Sequence, residues 1–205
     1  MKSPAEMSRA HILVECALMV AISVALSLIP GISMPFGGTV SWFATLPIII
    51  VSLRHNAKWG VLTALVYSLT QLFFGMSSVV AVPAETVGAM ILCALLDYVV
   101  AFTAIGLTGA VARKIGAGTA ALMAGIAITG LVRLLCSFLS GILIWGAYAP
   151  EDTSVWVYSL SYNASWCVPD VIVVLVGAAL LSRVRQLDLM PRRATETGDN
   201  AARHG

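Results

Sequence analysis

The sequence predicts an all-α membrane protein, a bundle of six transmembrane helices with both termini cytoplasmic, and three observations carry that prediction. Hydrophobic residues make up 59% of the 205 and charged residues only 11%, with a mean hydropathy of +0.93. A soluble core of this size could not hide so much apolar surface. The chain also divides into six apolar stretches, to be measured against the roughly 20 residues that cross about 30 Å of hydrocarbon. Finally, eleven of the twelve Lys and Arg residues lie at the ends or in two of the breaks: Lys2, Arg9, Arg54, Lys58, Arg113, Lys114, Arg183, Arg185, Arg192, Arg193 and Arg203. The breaks near 30–39, 76–85 and 147–154 carry Glu85, Glu151 and Asp152 and no basic residue. The positive-inside rule then puts both termini and the basic breaks in the cytoplasm.

The first span is placed at 10–29. It leads into a matching series and lacks a small-residue cleavage site, so it is expected to be a helix rather than a signal peptide. Ala17, Ala21 and Ala25 recur along it at four-residue intervals. Small residues on one stripe let helices approach closely in lipid. Facing outward, the stripe is a partner-binding surface; the plainer alternative is alanine's ordinary abundance in such helices. The second span, 40–53, is short for a straight crossing and contains Pro47, so irregular backbone is expected there. At that depth it survives only against protein or a cavity. The remaining spans are placed at 57–75, 86–112, 118–146 and 156–182. Residues 1–185 form one transmembrane domain, and the polar stretch 186–205 reads as a disordered cytoplasmic tail. Cys16, Cys93, Cys136 and Cys167 stand singly in the spans, which suggests packing rather than a disulfide or metal framework.

Charge inside a span costs roughly 2.5–3.5 kcal/mol on insertion scales, so each embedded charge asks for a partner or a purpose. Glu15 is near enough to the cytoplasmic interface for a structural role. Asp97, Arg133 and Asp170 are deeper. At ~1.5 Å per residue from the outer helix ends, Asp97 lies roughly 16 Å down, Arg133 about 20 Å, Ser137 about 14 Å and Asn163 about 10 Å, with Trp145 and Tyr158 at the rim. Three helices thus present polar and aromatic groups at overlapping depths, the profile of an outward-facing pocket. Mutual neutralisation of Asp97 and Arg133 is the bland alternative. Aromatic rings and a carboxamide beside a buried acid suit a flat, nitrogen-rich cation, whereas an aromatic belt accounts for Trp156. Tyr158 and Asn163 are five residues apart, about 140° beyond a full turn, so only a loosened first turn brings them to one face.

These motifs resemble those of the thiamine-specific substrate-binding subunits (S components) of energy-coupling factor (ECF) transporters. The resemblance covers nearly all of residues 10–185 and rests on SLIPG, FATLPIIIVSLRHNAKWG, LLDY, RLLCSFLSGILIWGAYAP and VYSLSYNASWCVPD. It implies that Asp97 and Tyr98, Arg133, Ser137, Trp145, Tyr158 and Asn163 contact thiamine, and that Ala17, Ala21 and Ala25 meet a transmembrane coupling subunit. Serine stands at 137 where the family often has histidine, and Phe36 and Trp42 are the aromatics available in the loop after the first helix. By the same resemblance two cytoplasmic ATPases supply the work and use the ATP, the subunit topples to release its cargo, and the setting is a prokaryotic plasma membrane. No resident cofactor, metal or nucleic-acid partner is implied. The chain has no GxxxxGK[ST] phosphate loop of its own.

Three rivals stand beside this reading. A membrane enzyme would use Ser137 or Cys136 with Asp97 or Asp170, but no embedded His completes the relay. A secondary transporter would show paired repeats. An S component for another vitamin or for a pyrimidine precursor of thiamine stays open at Ser137.

Overall fold

The computed structural model describes residues 8–34 and 38–183; Phe36 and the expected tail 186–205 lie outside the described residues. Helix α1, Arg9–Ser27, starts where the Ser8 hydroxyl accepts from the backbone N–H of His11, relieving one of the unpaired donors of a first turn. The chain then makes a small antiparallel hairpin, β1 (Ile32–Ser33) and β2 (Thr39–Val40), with Ile32 opposite Val40. The all-helical expectation had no place for it, because two-residue strands leave no alternation to detect.

The expected 40–53 span is corrected. Residues 41–45 are irregular and α2 runs Leu46–Arg54. Pro47 lies in the first turn of α2, where its missing N–H costs nothing, so it starts the helix rather than cutting it. Nine residues rise about 14 Å, well short of a crossing. Every residue from Leu46 to Ser52 is buried, as a helix apolar all round requires. Around it stand α3 (Ala57–Phe74), the short α4 (Met76–Val80), α5 (Val87–Ile115), α6 (Gly118–Leu143) and α7 (Val155–Leu181). Helix α5 is interrupted by a π-helical stretch over Ala94–Val100 and a 3-10 turn over Ala104–Leu107. A 3-10 turn, Trp145–Tyr148, follows α6. Among the described helices α1, α5, α6 and α7 are long and apolar enough to cross a membrane.

Leu46, Ile48 and Ile49 of α2 meet Tyr67, Leu122 and Val174 in the main core. Outside, Val14, Phe73, Val87, Leu143 and Trp156 are each more than 60% exposed, an apolar outer surface of the kind that lipid or a partner covers. At Gly60 and Gly106 an added Cβ would strike the other's carbonyl oxygen, so α3 and α5 touch backbone to backbone. All four cysteines are free and buried.

Two charge clusters tie these elements together. In the first, Glu15 lies 2.7 Å from Arg54 and 3.0 Å from His55, which bears out its structural reading. Arg113 Nη1 donates at 3.3 Å to the carbonyls of Ser52 and Leu53, orphan acceptors at the end of α2. In the second, Arg133 Nη1 donates to Asp170 Oδ2 at 2.6 Å. Asp170 Oδ1 accepts the Ser41 backbone N–H at 3.0 Å and the Ser41 hydroxyl at 2.8 Å. The guanidinium lies between the rings of Phe102, at 4.6 Å, and Trp166, at 4.9 Å, a doubled cation–π contact. The partner of Arg133 is therefore Asp170 and not Asp97. Below the pair a cavity of about 20 Å³, lined by Thr45, Thr129, Arg133 and Asp170 among apolar residues, has room for about one water.

Asp170→Leu alone strands a buried cation and the Ser41 N–H together, and breaking such a pair typically costs about 3–5 kcal/mol. The Arg133→Met/Asp170→Leu double variant is expected to melt at a higher temperature than Asp170→Leu in detergent thermal unfolding.

Candidate ligand site

Asp97 and Tyr98 both fall in the π-helical stretch of α5, a distortion often found at functional sites. Three donors converge on one oxygen of Asp97. Ser140 Oγ donates to Oδ2 at 2.6 Å, Trp145 Nε1 at 3.2 Å and Cys93 Sγ at 3.4 Å. Among the described residues no hydrogen bond reaches Oδ1 and no cation pairs with this carboxylate. Three neutral donors hold this oxygen, and none of them brings a compensating charge. The Trp145 ring stacks on Tyr148 with centroids 6.1 Å apart and planes at 22°.

A second group of polar atoms lies between α6 and α7. Asn163 Nδ2 donates to the Ser137 carbonyl at 3.1 Å, to the Ser159 carbonyl at 2.9 Å and to the Ser159 hydroxyl at 3.4 Å. Among the described residues every side-chain hydrogen bond of Asn163 uses the amide nitrogen, which leaves the carbonyl oxygen as an acceptor. Ser137, one turn from Ser140 on the same helix, links the two groups. Gly141 permits the close helix crossing, since a Cβ there would strike the Ser159 hydroxyl.

The expected site residues therefore divide. Asp97 and Trp145 are in direct contact, and Ser137 and Asn163 are in direct contact. Tyr98 points the other way, donating to the Gly75 carbonyl at 3.3 Å, and Arg133 is committed to Asp170. The loosened first turn that would align Tyr158 with Asn163 is not found. Helix α7 is regular from Val155, and Tyr158 lies instead against Tyr162, with centroids 6.1 Å apart. Trp42 turns back on its own loop, donating to the Pro30 carbonyl at 3.0 Å, while Gly38 lies directly on the Trp166 ring. Ala17, Ala21 and Ala25 are all exposed on the outer face of α1.

Sequence reasoning missed Ser140, Cys93 and Tyr162. Each had a signal. Arg133, Ser137 and Ser140 follow the i, i+4, i+7 spacing of one helix face, while Cys93 precedes Asp97 by four residues and Tyr162 follows Tyr158 by four.

A family model described as thiamine transporter protein matches residues 13–188. The thiamine transporter ThiT of Bacillus subtilis is 35% identical over 180 residues, covering 82% of this chain and 88% of that protein. Its namesake from Lacticaseibacillus paracasei is 28% identical over 190 residues, covering 86% and 89%. Among solved structures, ThiT from Listeria monocytogenes superposes with a TM-score of 0.67 at 22% identity, covering 88% of this chain and 98% of that one. An S component of a bacterial ECF transporter superposes with a TM-score of 0.56 at 21% identity, covering 86% and 95%. The two structures share the fold, while the family match and the Bacillus relative reach further: the chain belongs to the thiamine transporter protein family.

Proposed function

We propose that the protein is the thiamine-binding S component of an ECF-type importer. It crosses a prokaryotic plasma membrane six times with both termini inside, the second passage being made by the irregular residues 41–45 and α2 together; it takes thiamine from the exterior and delivers it inward with a transmembrane coupling subunit and two ATPases. The observation that carries this reading is Asp97, a half-buried carboxylate with no cationic partner among the described residues and one oxygen free of hydrogen bonds. Thiamine carries a fixed positive charge on its thiazolium ring and offers hydrogen-bond donors and acceptors on its aminopyrimidine. The cation suits a carboxylate held in a low-dielectric site and the faces of Trp145, Tyr158 and Tyr162. The aminopyrimidine suits the free oxygen of Asp97 and the carbonyl of Asn163. Ser137 adds a hydroxyl in place of an imidazole. Arg133 acts at one remove, through Asp170 and Ser41, and Tyr98 through the apolar cluster of Val79, Val82, Cys93 and Ile144, against which Trp145 also packs.

Further support comes from the relatives, which are named transporters. The charge asymmetry of the breaks supports the orientation. The outward Ala17, Ala21 and Ala25 support docking of the coupling subunit, which small residues permit at close range. ATP is consumed by the partner subunits.

Purified protein is expected to bind one thiamine with quenching of tryptophan fluorescence, and Asp97→Asn and Trp145→Ala are each expected to weaken binding at least tenfold, roughly 1.4 kcal/mol or more. Calorimetry giving no heat with thiamine but saturation with a pyrimidine precursor would move the assignment to that ligand. Ala17→Trp is expected to bind thiamine normally and to lose co-purification with the coupling subunit; unaltered co-purification counts against the stripe as the docking surface.

A further inference from the structure

We propose that Ser140 is a positioning residue for the ligand site, fixing the Asp97 carboxylate so that Oδ1 faces the bound cation. The inference rests on the thiamine reading above. Five other helical serines behave differently, while Ser159 also reaches across, to the Phe138 carbonyl of α6. Ser27, Ser52, Ser68, Ser165 and Ser182 each donate to the carbonyl three residues back in their own helix, the ordinary local outlet for a hydroxyl without other employment. Ser140 forgoes that bond. It is wholly buried, and its hydroxyl crosses from α6 to α5 to donate to Asp97 Oδ2 at 2.6 Å, the shortest of the three contacts on that oxygen.

The arrangement has a chemical consequence. Aspartate has two side-chain torsions, and its acid group rotates unless something holds it. Ser140 and Trp145 approach Oδ2 from α6 and from the turn that follows it, while Cys93 approaches from one turn back along α5. Of these donors, the thiol is weak, and Trp145 is the ring expected to move against the ligand. Ser140 alone combines a strong donor with a fully buried, ligand-independent position. Its bond fixes Oδ2 and thereby the orientation of Oδ1 before any cation arrives, which lowers the reorganisation needed on binding.

The test is a double-mutant cycle in the purified full chain, with thiamine affinity read by calorimetry and tryptophan quenching. Ser140→Ala is expected to weaken thiamine about tenfold in the wild-type background and to change it less than twofold when Asp97 is already Asn, because Ser140 acts through the carboxylate. Ser140→Thr, which keeps the hydroxyl, restores most of the affinity. Equal losses in both backgrounds, or wild-type affinity in Ser140→Ala, overturn the proposal. Should Ser140→Ala fail to fold, Ser140→Thr and Ser140→Cys are compared: tighter binding by Thr supports the role of the hydroxyl, and equal binding removes it. Failure of the wild-type protein to bind thiamine sinks the functional reading itself, whereas wild-type saturation with Ser140→Ala unaltered sinks only the role of Ser140.

Discussion

Irregular backbone inside a bilayer must have its polar groups satisfied by protein, and in this fold Asp170 meets that demand. The chain between β2 and α2 enters the bundle without helical hydrogen bonds, and Ser41 presents a backbone N–H and a hydroxyl there. Both are taken by Asp170 Oδ1. The carboxylate itself would be intolerable alone at 2% exposure, so Arg133 neutralises it, and Phe102 and Trp166 in turn cover the cation. Removing any one member exposes an unsatisfied group on the next. The network brings the loop, α5, α6 and α7 to a common point, and it leaves Asp97 as the embedded acid without a cation among the described residues. The proposed site for a cationic ligand rests on which acid is paired and which is not.

Much of this was legible in the residues. Charge segregation and apolar stretches located the helices, and α1, α3, α6 and α7 begin within one residue of the sequence reading. Composition flagged each embedded charge as meaningful. Depth was legible as well: the rise that puts Arg133 about 20 Å from the outer end of its helix puts Asp170 about 21 Å down the next. That match favours the observed pair over Arg133 with Asp97. Azimuth was not legible, because the direction in which a side chain leaves its helix depends on packing that periodicity does not report. Tyr98 shows this well. Its neighbour Asp97 faces the site, yet the residue itself wedges against Gly75, where an added Cβ would strike its ring. The π-helical stretch over Ala94–Val100 was equally invisible, since no residue type demands it.

The hairpin and the short α2 have a shared cause. Thr39 and Val40 favour extended backbone, and Phe43 adopts a positive φ of 58°, a conformation that ends any regular element. Helix formation therefore waits for Pro47, whose ring suits a first helical turn. The delay removes about a turn and a half from the expected span and leaves α2 as a short buried strut. Its carbonyl end is capped by Arg113 from α5, so the strut is fastened at the end bearing the basic residues, while the opposite end meets the irregular loop.

Glu15 sets the rotation of α1. It contacts Arg54 and His55 at the end of α2, which turns its own face of α1 inward, together with Ile12, Cys16 and Ser23. Residues two apart on a helix lie about 200° apart, so an inward Glu15 turns Ala17 outward. Each four-residue step adds only about 40°, and Ala21 and Ala25 stay on the outer side, where all three are exposed. An ion pair at one end of the helix thus determines which residues its full length offers to a neighbour. Bulk introduced at Ala17 meets lipid or a partner and leaves the core untouched, whereas loss of Glu15 would free the helix to rotate and blur the stripe. In the proposed function docking and ligand binding are separable for this reason: the first would be governed by a charge at the base of α1, the second by an acid on α5 with no cationic partner among the described residues.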